Sequence, residues 1–134
     1  MKTRTLISSL FAAAALAGLG LGLALAASGG GTAAAEARAV AAQFLRTVDH
    51  RQYAQTCDLL SVRFYQRNHV PDKRHCVLGL SVGMAMAPSY RFRITSVQLT
   101  RGGAVVSARA NGVPGRLVLV REASTFKIVA VQGA

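Results

Sequence analysis

The spacing of hydrophobic residues changes at Pro88, and no other feature of the sequence restricts the fold as much. Within residues 36–86 apolar side chains recur every three or four positions, as they do along one face of a helix. From Tyr90 onwards they alternate with polar residues, which is the pattern of a strand that buries one side. Helices that all precede the strands predict an α+β domain.

The first half of the sequence predicts helices separated by short breaks. Residues 40–48 form one apolar stripe, and residues 53–60 form a second with spacings of four and three. Ser61 is a residue type that caps helices, so we expect a further helical turn after it. A last helix is expected over residues 72–86, closed by Pro88.

The second half predicts an antiparallel meander of four strands. The apolar phase slips inside the first strand, between Ile94 and Val97, which indicates a β-bulge that bends it. Turns are expected at residues 101–103 and 111–115 because both are rich in glycine. The predicted strands are residues 90–99, 104–110, 116–121 and 125–131.

Residues 1–27 form an export signal or a membrane anchor. Lys2 and Arg4 precede an uncharged run over residues 6–27, as in the first two regions of a signal peptide. Small residues favour cleavage after Ala26, whereas the length of the run is sufficient to cross a bilayer if it is retained. Both alternatives place the rest of the chain outside the cytoplasm.

Residues 28–35 are rich in glycine and alanine and predict a flexible linker. The domain itself is expected over residues 36–134. It is secreted or tethered to the cytoplasmic membrane, depending on whether the N-terminal segment is cleaved.

The chain is strongly basic, with a formal net charge of +11, and most of its basic residues are arginine. Such a balance is typical of proteins that bind nucleic acid or anionic surfaces. Outside the cytoplasm, lipid head groups or cell-wall polymers are the available anions, so we expect no nucleic-acid partner. A solvated basic surface, in a composition biased towards Ala, Gly, Val and Arg, explains the same charge.

The order of these elements resembles the NTF2-like, or cystatin-like, superfamily, and in particular its small exported bacterial members. The likeness rests on a first helix ending at Val48-Asp49-His50, on Cys57 in the second helix, and on a final strand pair that has Phe126 where the family usually has Trp. It spans the stretches AEARAVAAQFLRTVDHRQYAQTCDLLS and GRLVLVREASTFKIVAVQG. The resemblance implies a cone of bent sheet around helices, often enclosing a pocket and often forming a homodimer through the outer face of the sheet.

The only two cysteines, Cys57 and Cys76, predict a disulfide. A metal site would add His69 and His75 to them, but the spacing matches none of the compact zinc patterns. A redox pair would need Cys-x-x-Cys, and a thiol nucleophile would need a single free cysteine. In an exported domain two cysteines most simply pair with each other. We expect no metal and no cofactor.

The acidic residues argue against an enzyme. Glu36 lies at a helix start, Asp49 and Asp72 lie in or beside turns, and Glu122 ends a strand. Asp58 follows Cys57, and none of the five occupies an inward strand position. A carboxylate that acts as a base near neutral pH needs burial in an apolar pocket. We expect Asp58 to pair with an arginine such as Arg63 or to be solvated, and we expect no catalytic residues.

Large side chains with apolar bodies are candidates for a ligand-binding pocket or for the core of a domain poor in aromatics. We select Tyr53, Phe64, Tyr65, Tyr90, Phe92 and Arg109. The sequence predicts a non-catalytic module that binds a small ligand or another protein at the cell envelope. The alternatives are a pocket enzyme of the isomerase or dehydratase type, and a basic domain that adheres to anionic envelope polymers or lipids.

Overall fold

Four helices precede four strands, so the α+β class is confirmed. The structure, a computed structural model, describes residues 29–133, and the predicted signal or anchor at residues 1–27 lies outside them. The residues from Glu36 onwards form one compact unit. The helices are α1 (Gly29–Asp49), α2 (Tyr53–Asp58), α3 (Val62–Arg67) and α4 (Lys73–Gly83). The strands are β1 (Phe92–Thr100), β2 (Gly103–Ala110), β3 (Val113–Glu122) and β4 (Thr125–Gly133).

Helix α1 begins earlier than the hydrophobic stripe indicates. Residues 29–35, predicted to be a linker, belong to the helix. Within the compact unit α1 buries Ala37, Ala41, Phe44 and Leu45, which recur at spacings of four, three and one along one face. This face supplies the helical side of the core.

Helices α3 and α4 both begin at side-chain caps. Ser61 accepts a hydrogen bond from the Phe64 N–H at 2.9 Å, which confirms the predicted cap of α3. Asp72 accepts one from the His75 N–H at 2.9 Å and caps α4 in the same way. His75 therefore lies in the first turn of α4, within the helix expected over residues 72–86.

Helix α4 ends at Gly83 rather than near Met86 because a distant arginine binds the chain beyond its end. The Arg51 guanidinium donates hydrogen bonds to the carbonyl oxygens of Met84 and Ala87, at 2.7 and 2.6 Å. The turn that carries Arg51 has a positive φ of 57° at this residue. The contact joins the turn between α1 and α2 to the C-terminal end of α4.

Cys57 of α2 and Cys76 of α4 form the predicted disulfide, which is confirmed. Both residues are buried. The sequence contains no other cysteine, so no free thiol remains. The bond ties together two short helices that are separated by α3 in the sequence.

The sheet is an antiparallel meander in the order β1-β2-β3-β4, as predicted. The register of β1 shifts between Ile94 and Ser96, which confirms the predicted bulge. Asn111 and Gly112 both have positive φ, 52° and 83°, so the chain turns in two residues. For this reason β3 begins at Val113 and the predicted turn over residues 111–115 is too long.

A second bulge lies where β3 pairs with β4, between Val118 and Leu119. On β4 the extra residue is Val129, which is buried beside Ile128. The bulge inserts one residue into the period of two, so the adjacent Ile128 and Val129 are both buried.

One face of the sheet, here called the inner face, packs against the helices. It carries the buried side chains of Val106, Leu117, Leu119 and Ile128, which neighbour one another through the strand register. The opposite, outer face alternates with it along each strand. The core of the domain therefore lies in a single layer between the helices and the inner face.

The chain between α2 and α3 adds one contact to the far edge of the sheet. Leu60 forms a parallel bridge with Ile128 of β4. The Ser61 N–H donates to the Ile128 carbonyl oxygen, and the Ile128 N–H donates to the Leu59 carbonyl oxygen, both at 2.8 Å. None of the helices within residues 29–133 is long and apolar enough to span a membrane.

Candidate functional site

An open cavity of about 730 Å³ lies between the helices and the inner face of the sheet. All four helices and all four strands contribute to its wall. Most of the lining side chains are apolar, among them Phe44, Val48, Leu60, Leu80, Leu117 and Val129. The cavity therefore offers a hydrophobic surface to a ligand.

A few polar side chains also line the cavity. Thr56 is fully buried, and its hydroxyl lies 2.9 Å from that of Thr47 and 3.0 Å from the Gln52 carbonyl oxygen. These contacts satisfy the hydroxyl within the protein. Arg67 and Asn68, at the end of α3, are exposed members of the lining. Both side chains can make polar contacts with a ligand in the cavity.

Three of the residues selected from the sequence, Phe64, Tyr90 and Phe92, lie together in the wall of this cavity. The rings of Tyr90 and Phe92 stack with centroids 5.3 Å apart. All three are half-buried, so each presents part of its surface to the cavity. Their place in the cavity wall is where a ligand-binding role would put them, and that role remains a prediction.

Tyr53 and Tyr65 do not line the cavity. The Tyr53 hydroxyl accepts a hydrogen bond from Arg51 at 3.2 Å, and the Tyr65 hydroxyl donates to the Cys57 carbonyl oxygen at 3.1 Å. Burial and the nearby charge of Asp58 raise the pKa of the Tyr65 phenol above its ordinary value, so it remains a donor. Both hydroxyls are engaged in holding α2 in place.

Arg109 is absent from the wall of this cavity, although it lines a smaller depression together with Phe92. It pairs across the sheet with Arg93, and its guanidinium donates to the Gly112 carbonyl oxygen at 2.7 Å. This contact supports the turn between β2 and β3. The structure therefore does not bring Arg109 together with Tyr90 and Phe92 in the large cavity.

Two acidic residues accept backbone hydrogen bonds from distant elements. Glu122, at the end of β3, accepts one from the Val62 N–H at the start of α3, at 2.8 Å. Asp49, at the end of α1, accepts one from the Tyr90 N–H at 3.0 Å. Each carboxylate joins a helix terminus to the strand half of the domain.

Two further acidic residues form ion pairs. Glu36 contacts Arg121 at 2.9 Å, and Asp58 contacts Lys73 at 2.8 Å. The predicted partner of Asp58, Arg63, is wrong because the disulfide brings the start of α4 next to the end of α2. With Asp72 capping α4, all five acidic residues of the sequence make structural contacts.

A second depression, here called the arginine cleft, has a volume of about 540 Å³ and borders the cavity. Arg38, Ala42 and Arg46 line it from one face of α1, where a spacing of four aligns side chains. Arg93 lines it from β1, and Asp49 lies at its end. Positive charge therefore predominates in this cleft.

Arg38, Arg46 and Arg93 were not among the candidate residues, whereas Tyr90 and Phe92, which also line the arginine cleft, were. Arg38 and Arg46 flank the apolar stripe of α1, and only their spacing of eight residues, about two helical turns, places them on one face. Arg93 reaches the same cleft through the packing of β1 beside α1, which no local pattern reveals.

The outer face of the sheet carries valines between charged side chains. Val105, Val118 and Val120 are half-buried, whereas Arg116 on the same face is exposed. This partly apolar face is the one through which a homodimer was predicted, and that partner remains a prediction.

No protein-family model matches the chain, and no curated protein matches it. Within residues 29–133, no three His, Cys, Asp or Glu side chains are grouped closely enough to hold a metal ion. Both cysteines are oxidised to a disulfide and are not available as thiolate ligands. The features that bear on function are the apolar cavity and the arginine cleft beside it.

Proposed function

We propose that this chain is a small-ligand-binding domain of NTF2-like type on the outer side of the cytoplasmic membrane. Its ligand occupies the apolar cavity, and the domain carries out no reaction on it. One observation carries this proposal: a cavity of about 730 Å³ with a mainly hydrophobic wall. Sites for small molecules in proteins typically have volumes of roughly 300–1,000 Å³ and linings of this kind.

The NTF2-like assignment is supported by the resemblance of the sequence and by the order of elements. Helices that lie against one face of an antiparallel meander, with a cavity between the two layers, are what the resemblance implies. Bulges in β1 and at the pairing of β3 with β4 are features that bend strands. A bent sheet is the kind that leaves room for a pocket.

The location is supported by the disulfide and by the uncharged run at residues 6–27. Disulfides persist in oxidising compartments, outside the bacterial cytoplasm. The N-terminal residue of the mature protein, recovered from culture medium and from membranes, distinguishes a cleaved signal from a retained anchor.

A binding role rather than a catalytic one is supported by the use of the acidic residues. Asp49 contacts Tyr90, a residue of the cavity wall, and it accepts the backbone N–H of Tyr90 rather than its hydroxyl. His50 lies 4.0 Å from the other oxygen of Asp49 and is mostly exposed. This separation is too long for a hydrogen bond, so Asp49 and His50 do not form the closely held pair that acid–base catalysis uses.

The test uses the full-length chain in phosphatidylcholine nanodiscs and a photoreactive fatty alcohol with a diazirine in its chain. We expect irradiation to label residues that line the cavity, such as Val48, Leu80 and Leu117, as located by mass spectrometry of peptides. Ala110 also lines the cavity. Ala110→Phe places a large ring in this space, so labelling of the cavity residues should fall by about tenfold.

Ala85→Phe is the matched control, because Ala85 is exposed and lines neither the cavity nor the arginine cleft. It should leave the labelling unchanged. Labelling that is confined to the N-terminal segment, or that Ala110→Phe does not reduce, would contradict the proposal.

A further inference from the structure

The cavity and the arginine cleft adjoin, because Leu45, Tyr90 and Phe92 line both. The stacked rings of Tyr90 and Phe92 lie at the boundary between an apolar space and a basic one. Both depressions are open to solvent, so a ligand in the cavity that extends over the edge of these rings enters the cleft. Such a ligand would be apolar at one end and polar at the other.

The charge of the cleft favours an anion at the polar end. Its lining includes Arg38, Arg46 and Arg93 and one carboxylate, Asp49. Asp49 already accepts the Tyr90 N–H. The other four acidic residues contact groups elsewhere in the described part of the chain, and none of these contacts is with Arg38, Arg46 or Arg93.

We propose that the ligand is a single-chain amphiphile with an anionic head, a carboxylate or a phosphate. This inference rests on the proposed function, since it places the hydrocarbon chain in the same cavity. The head lies in the arginine cleft, where guanidinium groups form charge-assisted hydrogen bonds with carboxylate or phosphate oxygens.

The volume of the cavity favours a ligand with one hydrocarbon chain rather than a membrane phospholipid with two. About 730 Å³ lies within the range of sites that hold one small molecule. The three arginines are exposed, so added salt screens their attraction for the head. Added salt does not weaken the hydrophobic burial of the ligand's hydrocarbon chain.

The experiment compares the photoreactive fatty alcohol with the fatty acid of the same chain, both with the full-length protein in phosphatidylcholine nanodiscs. The pH is mildly alkaline, so that the acid is ionised. At equal concentrations below saturation, we expect the acid to label the cavity residues about tenfold more than the alcohol. Added salt should reduce labelling by the acid and leave that by the alcohol unchanged.

The variant Arg38→Gln/Arg46→Gln removes two charges from the cleft. We expect it to lower labelling by the acid to near the level of the alcohol and to leave the alcohol unaffected. The matched control is Arg63→Gln/Arg101→Gln, which changes the net charge equally at exposed residues outside the cavity and the cleft. It should preserve the preference for the acid.

The outcomes separate this inference from the proposed function. Equal labelling by acid and alcohol would overturn the inference and leave the cavity as a binding site. A preference for the acid that survives Arg38→Gln/Arg46→Gln would also overturn it. Labelling by neither probe would refute both proposals.

Competition then distinguishes the two kinds of head. Unlabelled palmitate and lysophosphatidate are each added against the photoreactive acid. The better competitor identifies the head as carboxylate or phosphate, and both results agree with an anionic amphiphile. Failure of both to compete would contradict it.

Discussion

The sheet and the helical layer are stabilised in different ways. The strands are eight to ten residues long and pair with their neighbours, and β2, β3 and β4 bury a row of apolar side chains. Helices α2, α3 and α4 have only 6, 6 and 11 residues; α3 buries no side chain fully, and α4 buries only Cys76. Isolated helices of this length are marginal in water.

The short helices are instead held at their ends by specific ties. The disulfide joins α2 to α4, and Arg51 binds the carbonyl groups beyond the end of α4. Glu122 contacts the start of α3, and Asp72 caps α4. Helices held at their ends need not fill the inner face of the sheet with side chains. An apolar cavity can therefore persist between the two layers of a small domain.

Because the sheet depends on its buried side chains and the short helices on ties at their ends, we expect the largest loss of stability from a change in the sheet core. Leu119 is buried on the inner face with 1% of its surface exposed. Leu119→Ala should lower the free energy of unfolding by about 4 kcal/mol, because it removes buried methyl groups and leaves a void. Urea unfolding followed by tyrosine fluorescence measures this loss.

Val118→Ala is the control for Leu119→Ala, since Val118 lies on the same strand but on the half-buried outer face. It should lower the free energy of unfolding by about 1 kcal/mol. Equal losses for the two variants would show that the outer face is covered, as it would be in a dimer.

A smaller loss is expected from removing the tie between the helices. Cys57→Ser/Cys76→Ser opens a loop with a sequence separation of 19, so it should lower the free energy of unfolding by about 3 kcal/mol. The physical cause is the greater freedom of the unfolded chain. Urea unfolding of the variant, and of the wild type in reducing agent, should agree. A loss larger than that of Leu119→Ala would mean that the helical layer, not the sheet, dominates stability.

The smallest loss is expected at the cap of α4, and it depends on pH. The backbone N–H of His75, followed by its ring, holds the pKa of the Asp72 carboxyl below its ordinary value. The carboxylate therefore stabilises the folded state fully at pH values above its unfolded-state pKa of about 3.9. That contribution is lost as the pH falls through the lower, folded-state pKa.

Asp72→Asn keeps an oxygen that can cap the helix and removes the charge. Its urea midpoint should lie below that of the wild type at neutral pH, and the difference should vanish in strong acid. Asp72→Ala removes the cap as well and should be less stable than the wild type at every pH. A difference between wild type and Asp72→Asn that does not change with pH would contradict the role of the charge.

Features encoded locally could be predicted from the sequence. The change of hydrophobic period gave the class and the number of strands, and the phase slip near Ile94 gave the first bulge. Ser61 was identified as a cap because capping is a property of neighbouring residues. The pairing of Cys57 with Cys76 followed from their number and the expected compartment.

Features that depend on distant contacts could not be predicted. Residues 128–131 are all apolar, so alternation did not locate the bulge at Val129. The end of α4 depends on Arg51, which lies more than thirty residues away. The arginine cleft is a product of packing, since it brings Arg93 of β1 beside α1.

The bridge between Leu60 and Ile128 has a consequence for association between chains. An unpaired edge strand offers its N–H and C=O groups to a strand of another molecule, which is a common route to aggregation. At Ile128 both groups are already bonded to Leu59 and Ser61, so a new strand cannot pair along the middle of β4 without displacing them. We expect any strand added to this sheet to pair with β1, at the opposite edge.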